Sequence, residues 1–146
     1  LVVLSGHFRL AGGAFAHSAM RIALTKLQLH PLEGVLLGIL CNVLVCLAVW
    51  LSYSARTTTD RILAVVPPVT TFVAAGFEHS IAHMYFIPVA ILLHAWGQGS
   101  LAEGDAAQLS WAGFLLQNLL PVTVGNVIGG AGLVGAVYWF VYLRQR

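Results

Sequence analysis

The residues of this chain best suited to chemistry stand together in one short stretch, EHSIAH, at residues 78–83. It holds a carboxyl group, Glu78, and two imidazoles, His79 and His83, with apolar sequence on both sides. An imidazole changes charge between about pH 5 and 8, so His79 can attract an anion or give it a proton. Carrying a bare charge through hydrocarbon costs several kcal/mol. If the flanking sequence lies in a membrane, the stretch predicts a path on which a small anion crosses as a neutral acid.

The same residues leave two other interpretations open. His79 and His83 are four residues apart, which places both on one helix face at a spacing that also suits two metal or haem ligands. The metalloprotease order is absent, because Glu78 precedes the first histidine, and the neighbouring sequence offers no evident third ligand. An imidazole in a helical bundle can also be a hydrogen-bonded part of the core. A metal- or haem-binding membrane protein is therefore the rival function, which elemental analysis or a haem absorption band would reveal.

The composition indicates what surrounds these groups. The chain has 146 residues, of which 59% are hydrophobic and 8% charged, and its mean hydropathy is +0.88. A soluble domain carries about a quarter charged residues, so this chain has too little polar surface for a globule in water. Its net charge of +2 includes no polybasic run that would bind nucleic acid. These features argue against a soluble enzyme and a nucleic-acid module, and predict an all-α integral membrane protein.

Three segments are long enough to cross a bilayer, which takes about 20 apolar residues. They lie at about residues 31–53, 62–96 and 113–143. We expect them to form one transmembrane domain over residues 1–146, preceded by the end of an earlier helix, so that the chain is a fragment. Positive residues follow the first and third spans, and the loop after the second is acidic. By the positive-inside rule the carboxyl terminus is cytoplasmic, in a multi-pass protein of the cell inner membrane.

The second of these spans should be a broken helix. Pro67-Pro68 removes backbone donors and Gly76 tolerates positive φ, so we expect the break near 76–79, next to His79. Unwound backbone at membrane depth is tolerated only where it is buried in protein or lines a cavity. A broken helix beside an ionisable residue is typical of transporter substrate sites. The element that positions His79 therefore also points to transport.

Small and amide residues in the other two spans indicate helix contacts. Asn42 and Asn126 are each typical of an interhelical hydrogen bond. A glycine series in the third span predicts a closely packed helix face: Gly125, Gly129, Gly130, Gly132 and Gly135. Cys41 and Cys46 have neither disulfide nor metal-site spacing, and we expect them to be small buried side chains.

Three motifs, ILCNVLVCLAVWLSYSAR, FVAAGFEHSIAHMYFIP and NLLPVTVGNVIGGAGLVGAVYW, resemble the formate/nitrite transporter family, most closely its formate channels. The resemblance covers nearly the whole chain from about Leu4. It implies an aquaporin-like helical bundle and half of an inverted-repeat fold, here its C-terminal half. It also implies a homopentamer in the lipid bilayer that conducts formate, with nitrite or hydrosulfide as alternatives. No cofactor, nucleic-acid partner or enzymatic activity is expected.

The resemblance also assigns roles to individual residues. Seven positions match pore residues of the family: Lys26, Asn42, Val45, Phe72, Glu78, His79 and Asn126. His79 matches the central histidine that meets the anion and couples it to a proton, and Lys26 matches a lysine of the outer vestibule. Phe72 and Val45 match hydrophobic constrictions, a role that rests on the resemblance alone. His83 departs from the pattern, because the family commonly has asparagine there.

Overall fold

The computed structural model of the chain describes residues 2–6, 8–9, 13–98, 105 and 107–144. Within these ranges the secondary structure is helical and contains no strand, which confirms the all-helical prediction. The described residues form five main helices in chain order: α1 (Ala14–Leu27), α2 (Pro31–Ser54), α3 (Thr58–Ala74), α4 (Ser80–Ala95) and α5 (Gly113–Leu143).

Two of these helices, α2 and α5, are long and apolar enough to cross a membrane, with 24 and 31 residues. At about 1.5 Å per residue, 24 residues extend about 36 Å, which exceeds the roughly 30 Å hydrocarbon core of a bilayer. The predicted segment 62–96 is instead divided between α3 and α4, which have 17 and 16 residues. Each of these is shorter than a usual span, and residues 75–79 separate them.

Helix α3 begins at a capping box and continues through its two prolines. The Thr57 side chain accepts a hydrogen bond from the Asp60 N–H, and the Asp60 carboxylate accepts one from the Thr57 N–H, both at 3.1 Å. Pro67 and Pro68 deprive two preceding carbonyls of their donors, yet the helix runs on to Ala74. The proline pair therefore does not end the helix; the helix ends where Gly76 takes a positive φ.

Helix α5 alternates between π-helical and α-helical turns. Its π-helical stretches are Gly113–Leu119, Ile128–Gly135 and Trp139–Leu143. The Arg144 N–H, for example, donates to the Trp139 carbonyl at 3.0 Å, five residues back. This wider winding was not predicted, and it is uncommon outside short bulges.

The chain divides into two units, each built from two separate segments. Unit 1 is Leu1–Pro31 with Ser80–Leu120, and unit 2 is Leu32–His79 with Pro121–Arg146. The core of unit 1 lies among α1, α4 and the start of α5. Its fully buried side chains include Met20, Ala23, Ile87 and Leu93.

In unit 2 the later part of α5 packs closely on α2 through glycines. A Cβ on Gly125 would overlap the Val35 backbone, and one on Gly129 would overlap the Ile39 backbone. These two positions confirm the predicted small-residue contact face. Gly132 and Gly135 do not belong to it, because a Cβ on either would meet only atoms of α5 itself within 4 Å.

Candidate functional site

The carboxyl end of α3 turns back on itself in a Schellman motif. Gly76 has φ +70°, its N–H donates to the Val73 carbonyl at 3.1 Å, and the Phe77 N–H donates to the Phe72 carbonyl at 3.0 Å. A residue with a Cβ would pay roughly 1–2 kcal/mol in this left-handed conformation. Gly76 is therefore what allows residues 77–79 to leave the direction of α3.

This reversal brings His79 onto Phe72. The two rings are stacked, with centroids 5.7 Å apart and planes 21° apart, and both residues are half-buried. Ring pairs in this range are favourable by roughly 0.5–1.5 kcal/mol beyond the burial of their area. The contact fixes the plane of the imidazole while leaving part of the residue accessible.

Asn126 ties the unwound segment to α2. Its Nδ2 donates to the Gly38 carbonyl at 2.9 Å and to the Glu78 carbonyl at 3.0 Å, and Asn126 itself is buried. An amide nitrogen has two hydrogens, so both are directed at backbone oxygens. Glu78 lies beyond the end of α3, and the bond from Asn126 gives its carbonyl a hydrogen-bond donor. The break is thus held by a side chain of another helix, as unwound backbone in a membrane requires.

Asn42 adds a second link between the same two helices. Its Nδ2 donates to the backbone carbonyl of Asn126 in a short hydrogen bond. Gly130 leaves room for this amide, because a Cβ there would overlap the Asn42 nitrogen. The prediction that both asparagines make interhelical hydrogen bonds is confirmed.

Five of the seven predicted residues are therefore joined within unit 2: Asn42, Phe72, Glu78, His79 and Asn126. The Glu78 side chain is fully buried, at 0% exposure. Val45 is a half-buried residue of α2, one turn after Asn42. Lys26 belongs to unit 1, where it lines a 390 Å³ groove along α1 with Ser18, Arg21, Ile22 and Thr25.

One buried amide, Asn118, was not among the predicted site residues. Its Oδ1 lies 2.7 Å from Nδ1 of His83, and its Nδ2 donates to the Lys26 carbonyl at 2.8 Å. His83 and Asn118 are both buried. The available signal was the amide pair Gln117 and Asn118 in the apolar run FLLQNLLP, since such groups are costly at membrane depth without a partner.

The rival metal interpretation rested on His79 and His83. In the structure His83 pairs with an amide, and the described part of the chain has no group of three or more His, Cys, Asp or Glu residues that could hold a metal ion. Cys41 is buried and Cys46 partly buried, both as free thiols.

Apolar helices of spanning length, with a hydrogen-bonded break in the segment between them, are features of a helical membrane protein. The family model for formate/nitrite transporters matches residues 1–140, and the chain belongs to that family. It is 43% identical over 152 positions to the formate channel FocA of Escherichia coli K12, covering 100% of this chain and 53% of the relative. FocA of Haemophilus influenzae is 38% identical over 141 positions, covering 92% of this chain and 50% of that protein.

Among solved structures, a pentameric formate channel with formate bound superposes with a TM-score of 0.88 at 39% identity. The match covers 98% of this chain and 58% of that one. The chain thus spans about half the length of the curated relatives it matches. These relatives are channels rather than enzymes.

Proposed function

We propose that the protein is a transmembrane channel for formate or a closely related small monovalent anion, linked to proton transfer through His79. The observation that carries this proposal is the position of His79. Its ring is stacked on Phe72 at a helix break whose backbone is held by Asn126. The chain around it is 43% identical to a formate channel.

The chemistry follows from the groups around the break. A charged imidazole attracts a carboxylate, and proton transfer from nitrogen to the carboxylate oxygen gives the neutral acid, which crosses an apolar path at far lower cost. Phe72 forms one wall beside the ring, and Val45 is proposed as a second apolar constriction. Lys26, in the last turn of α1, increases the local anion concentration at the entrance.

The remaining predicted residues act mainly by holding the site. The Asn126 amide directs its two hydrogens at backbone carbonyls, and Asn42 donates to the Asn126 backbone. We therefore assign both a positioning role at the break, with the Asn42 side chain facing the path. The buried Glu78 carboxyl is the acidic neighbour that acts on His79.

The proposed membrane arrangement has three spans, at about 31–53, 62–96 and 113–143, in the C-terminal half of an inverted-repeat fold. Large apolar side chains of α2, α3 and α5 are exposed, as expected for surfaces that face lipid or other helices: Leu36, Leu40, Ile62, Leu63, Leu116, Val127 and Leu133. Trp50 packs edge-to-face on Tyr138 and Tyr142, at 5.1 and 5.9 Å between centroids, where an interfacial aromatic belt belongs.

A homopentamer in the cell inner membrane, with the carboxyl terminus cytoplasmic, completes the proposal. The solved neighbour is pentameric, which supports this assembly. The positive residues after the first and third spans support the orientation. Cysteine labelling from each side of the membrane at a residue near Arg144 checks the orientation directly.

The test is anion flux into liposomes that contain the full-length protein, with formate, nitrite and hydrosulfide supplied separately across a range of pH. We expect formate flux that rises at low pH, and loss of that pH dependence in His79→Asn and His79→Ala. His94→Asn is the matched control, because it changes a half-buried histidine of α4 outside the site. Unchanged flux and pH dependence in the His79 variants would refute the proton link, and a preference for another anion would reassign the substrate.

A further inference from the structure

A chain of hydrogen bonds runs through the interior of unit 1, and the proposed pore does not account for it. His83 of α4 meets Asn118 of α5 at 2.7 Å, and Asn118 meets the Lys26 carbonyl of α1 at 2.8 Å. Both side chains are 3% exposed. One buried amide thus connects three helices and ends on the backbone of a residue with a proposed role in anion entry.

The direction of these bonds follows from what each atom can do. A backbone carbonyl only accepts, so the amide nitrogen of Asn118 must face Lys26 and its Oδ1 must face His83. That oxygen also only accepts, so Nδ1 of His83 carries the hydrogen. Both the neutral Nδ1–H tautomer and the imidazolium meet this requirement. The link is therefore independent of the charge on His83.

The Lys26 carbonyl is one of the few in α1 that need an outside partner. The last four carbonyls of a helix have no intrahelical donor. The Leu24 carbonyl receives the Gln28 N–H at 3.0 Å, and the Lys26 carbonyl receives the Asn118 amide. Because the carbonyl carbon is bonded to Cα, holding this oxygen also holds the base of the Lys26 side chain, which lines the groove on the outside of α1.

We propose that His83 and Asn118 form a positioning pair that sets where Lys26 presents its charge, and so sets the affinity of the entrance for anions. This inference rests on the proposed function of Lys26. His83 acts through Asn118 and touches no substrate. An asparagine at this position also offers an N–H to the Asn118 oxygen, whereas leucine leaves that buried oxygen without this donor.

The experiment measures formate flux against formate concentration for the full-length protein in liposomes. We expect His83→Leu to raise the half-saturating concentration by about three- to tenfold with little change in maximal rate, which is the pattern of lost binding. His83→Asn should restore the original value. In a Lys26→Gln background His83→Leu should have no further effect, because the charge whose position His83 sets is already absent. His94→Leu is the control on α4.

A second measurement reads the position of residue 26 without transport. A cysteine at Lys26→Cys is labelled with a charged thiol reagent, in protein with Cys46 replaced by alanine, and His83→Leu should change the labelling rate while His83→Asn does not. An unchanged rate together with an unchanged half-saturating concentration overturns the inference. So does an equal effect in the Lys26→Gln background, which would indicate a purely structural role. If the protein transports no anion but His83→Leu still changes the labelling rate at residue 26, the proposed transport function is contradicted and the positioning of residue 26 by His83 is not.

Discussion

The two buried amides of α5 differ in what they depend on. Asn126 in unit 2 directs its amide hydrogens at the backbone carbonyls of Gly38 and Glu78. Asn118 in unit 1 donates to one backbone carbonyl but also contacts the side chain of His83. A side-chain substitution cannot remove a backbone carbonyl, so Asn126 keeps both of its acceptors whichever side chains surround it. By contrast, substituting His83 changes the hydrogen bonding of Asn118, and through it the hold on the Lys26 carbonyl at the end of α1.

The two glycine-terminated helices show the same contrast. Gly97 ends α4 as Gly76 ends α3, with φ +67° and backbone hydrogen bonds of 3.0 Å to the His94 carbonyl and 2.9 Å from the Gln98 N–H to the Leu93 carbonyl. The backbone motif is identical in the two places. At Gly76 it carries an imidazole back onto an aromatic ring. One local structure therefore serves the candidate site in unit 2 and ends a helix in unit 1.

The largest effect is expected when the close contact between α5 and α2 is disrupted, because that contact brings Asn126 within reach of α2. Gly129→Val places side-chain atoms on the Ile39 backbone, so α2 and α5 must separate, at a cost of about 3 kcal/mol or more. Folded yield after detergent extraction, measured by size-exclusion chromatography, should collapse. Gly132→Val, on the same helix but without a neighbouring helix within 4 Å, should change stability by no more than about 0.5 kcal/mol. Equal yields for the two variants would contradict the packing described.

The next largest effect on stability is expected when the two buried amides of α5 are replaced in turn. Asn126→Leu deprives two buried carbonyls of a donor, whereas Asn118→Leu deprives one carbonyl and leaves His83 facing an apolar group. Each lost partner costs about 1–3 kcal/mol in a buried setting and about 0.6 kcal/mol for an average bond in a bilayer. We expect a larger fall in Tm and a complete loss of flux for Asn126→Leu. Asn118→Leu should fold and transport with weakened anion affinity.

A smaller effect on stability is expected at the two glycine turns, which should differ in their effect on flux. Gly76→Ala and Gly97→Ala each force a Cβ into the left-handed region, and each should lower stability by about 1–2 kcal/mol. Their melting temperatures should therefore shift alike. Only Gly76→Ala should alter the pH dependence of formate flux, because only that turn sets the stack of His79 on Phe72. A comparable flux defect in Gly97→Ala would show that the turn matters only for stability.

The smallest effect concerns the start of α3. Thr57→Ala removes one half of the capping box and should cost about 1 kcal/mol, measured as a shift of the thermal unfolding midpoint. Thr59→Ala, inside the first turn but outside the box, is the matched control. Flux per folded protein should be unchanged in both, since the cap lies at the opposite end of α3 from the break.

Much of this organisation could be predicted from local sequence. Apolar length and composition indicated the long helices α2 and α5, a glycine beside ionisable groups indicated the break after α3, and the spacing of Gly125 and Gly129 indicated a contact face. These features can be predicted from local sequence because helix periodicity, glycine conformation and the cost of burying a polar group each depend on residues within a few helical turns. Pro67 and Pro68 did not end α3, because each proline removes a backbone donor but does not reverse the chain; the helix ends before Gly76, whose positive φ does so.

The rest depended on tertiary placement. Asn118 finds His83 across 35 residues, and no sequence pattern specifies which buried amide meets which imidazole. The contact of Phe72 with His79 exists only once the turn at Gly76 has reversed the chain, so no local pattern indicates it. The role of Val45 was assigned from the resemblance alone.

The stack of His79 on Phe72 has a spectroscopic consequence. With the rings 5.7 Å apart and tilted by only 21°, the carbon-bound protons of the imidazole lie in the magnetic field of the phenyl ring current. Their NMR resonances should be displaced from those of an isolated histidine and should return toward them in Phe72→Leu. The chemical shift of one side chain therefore reports, at every pH and anion concentration, whether the break keeps its geometry while the imidazole gains or loses its proton.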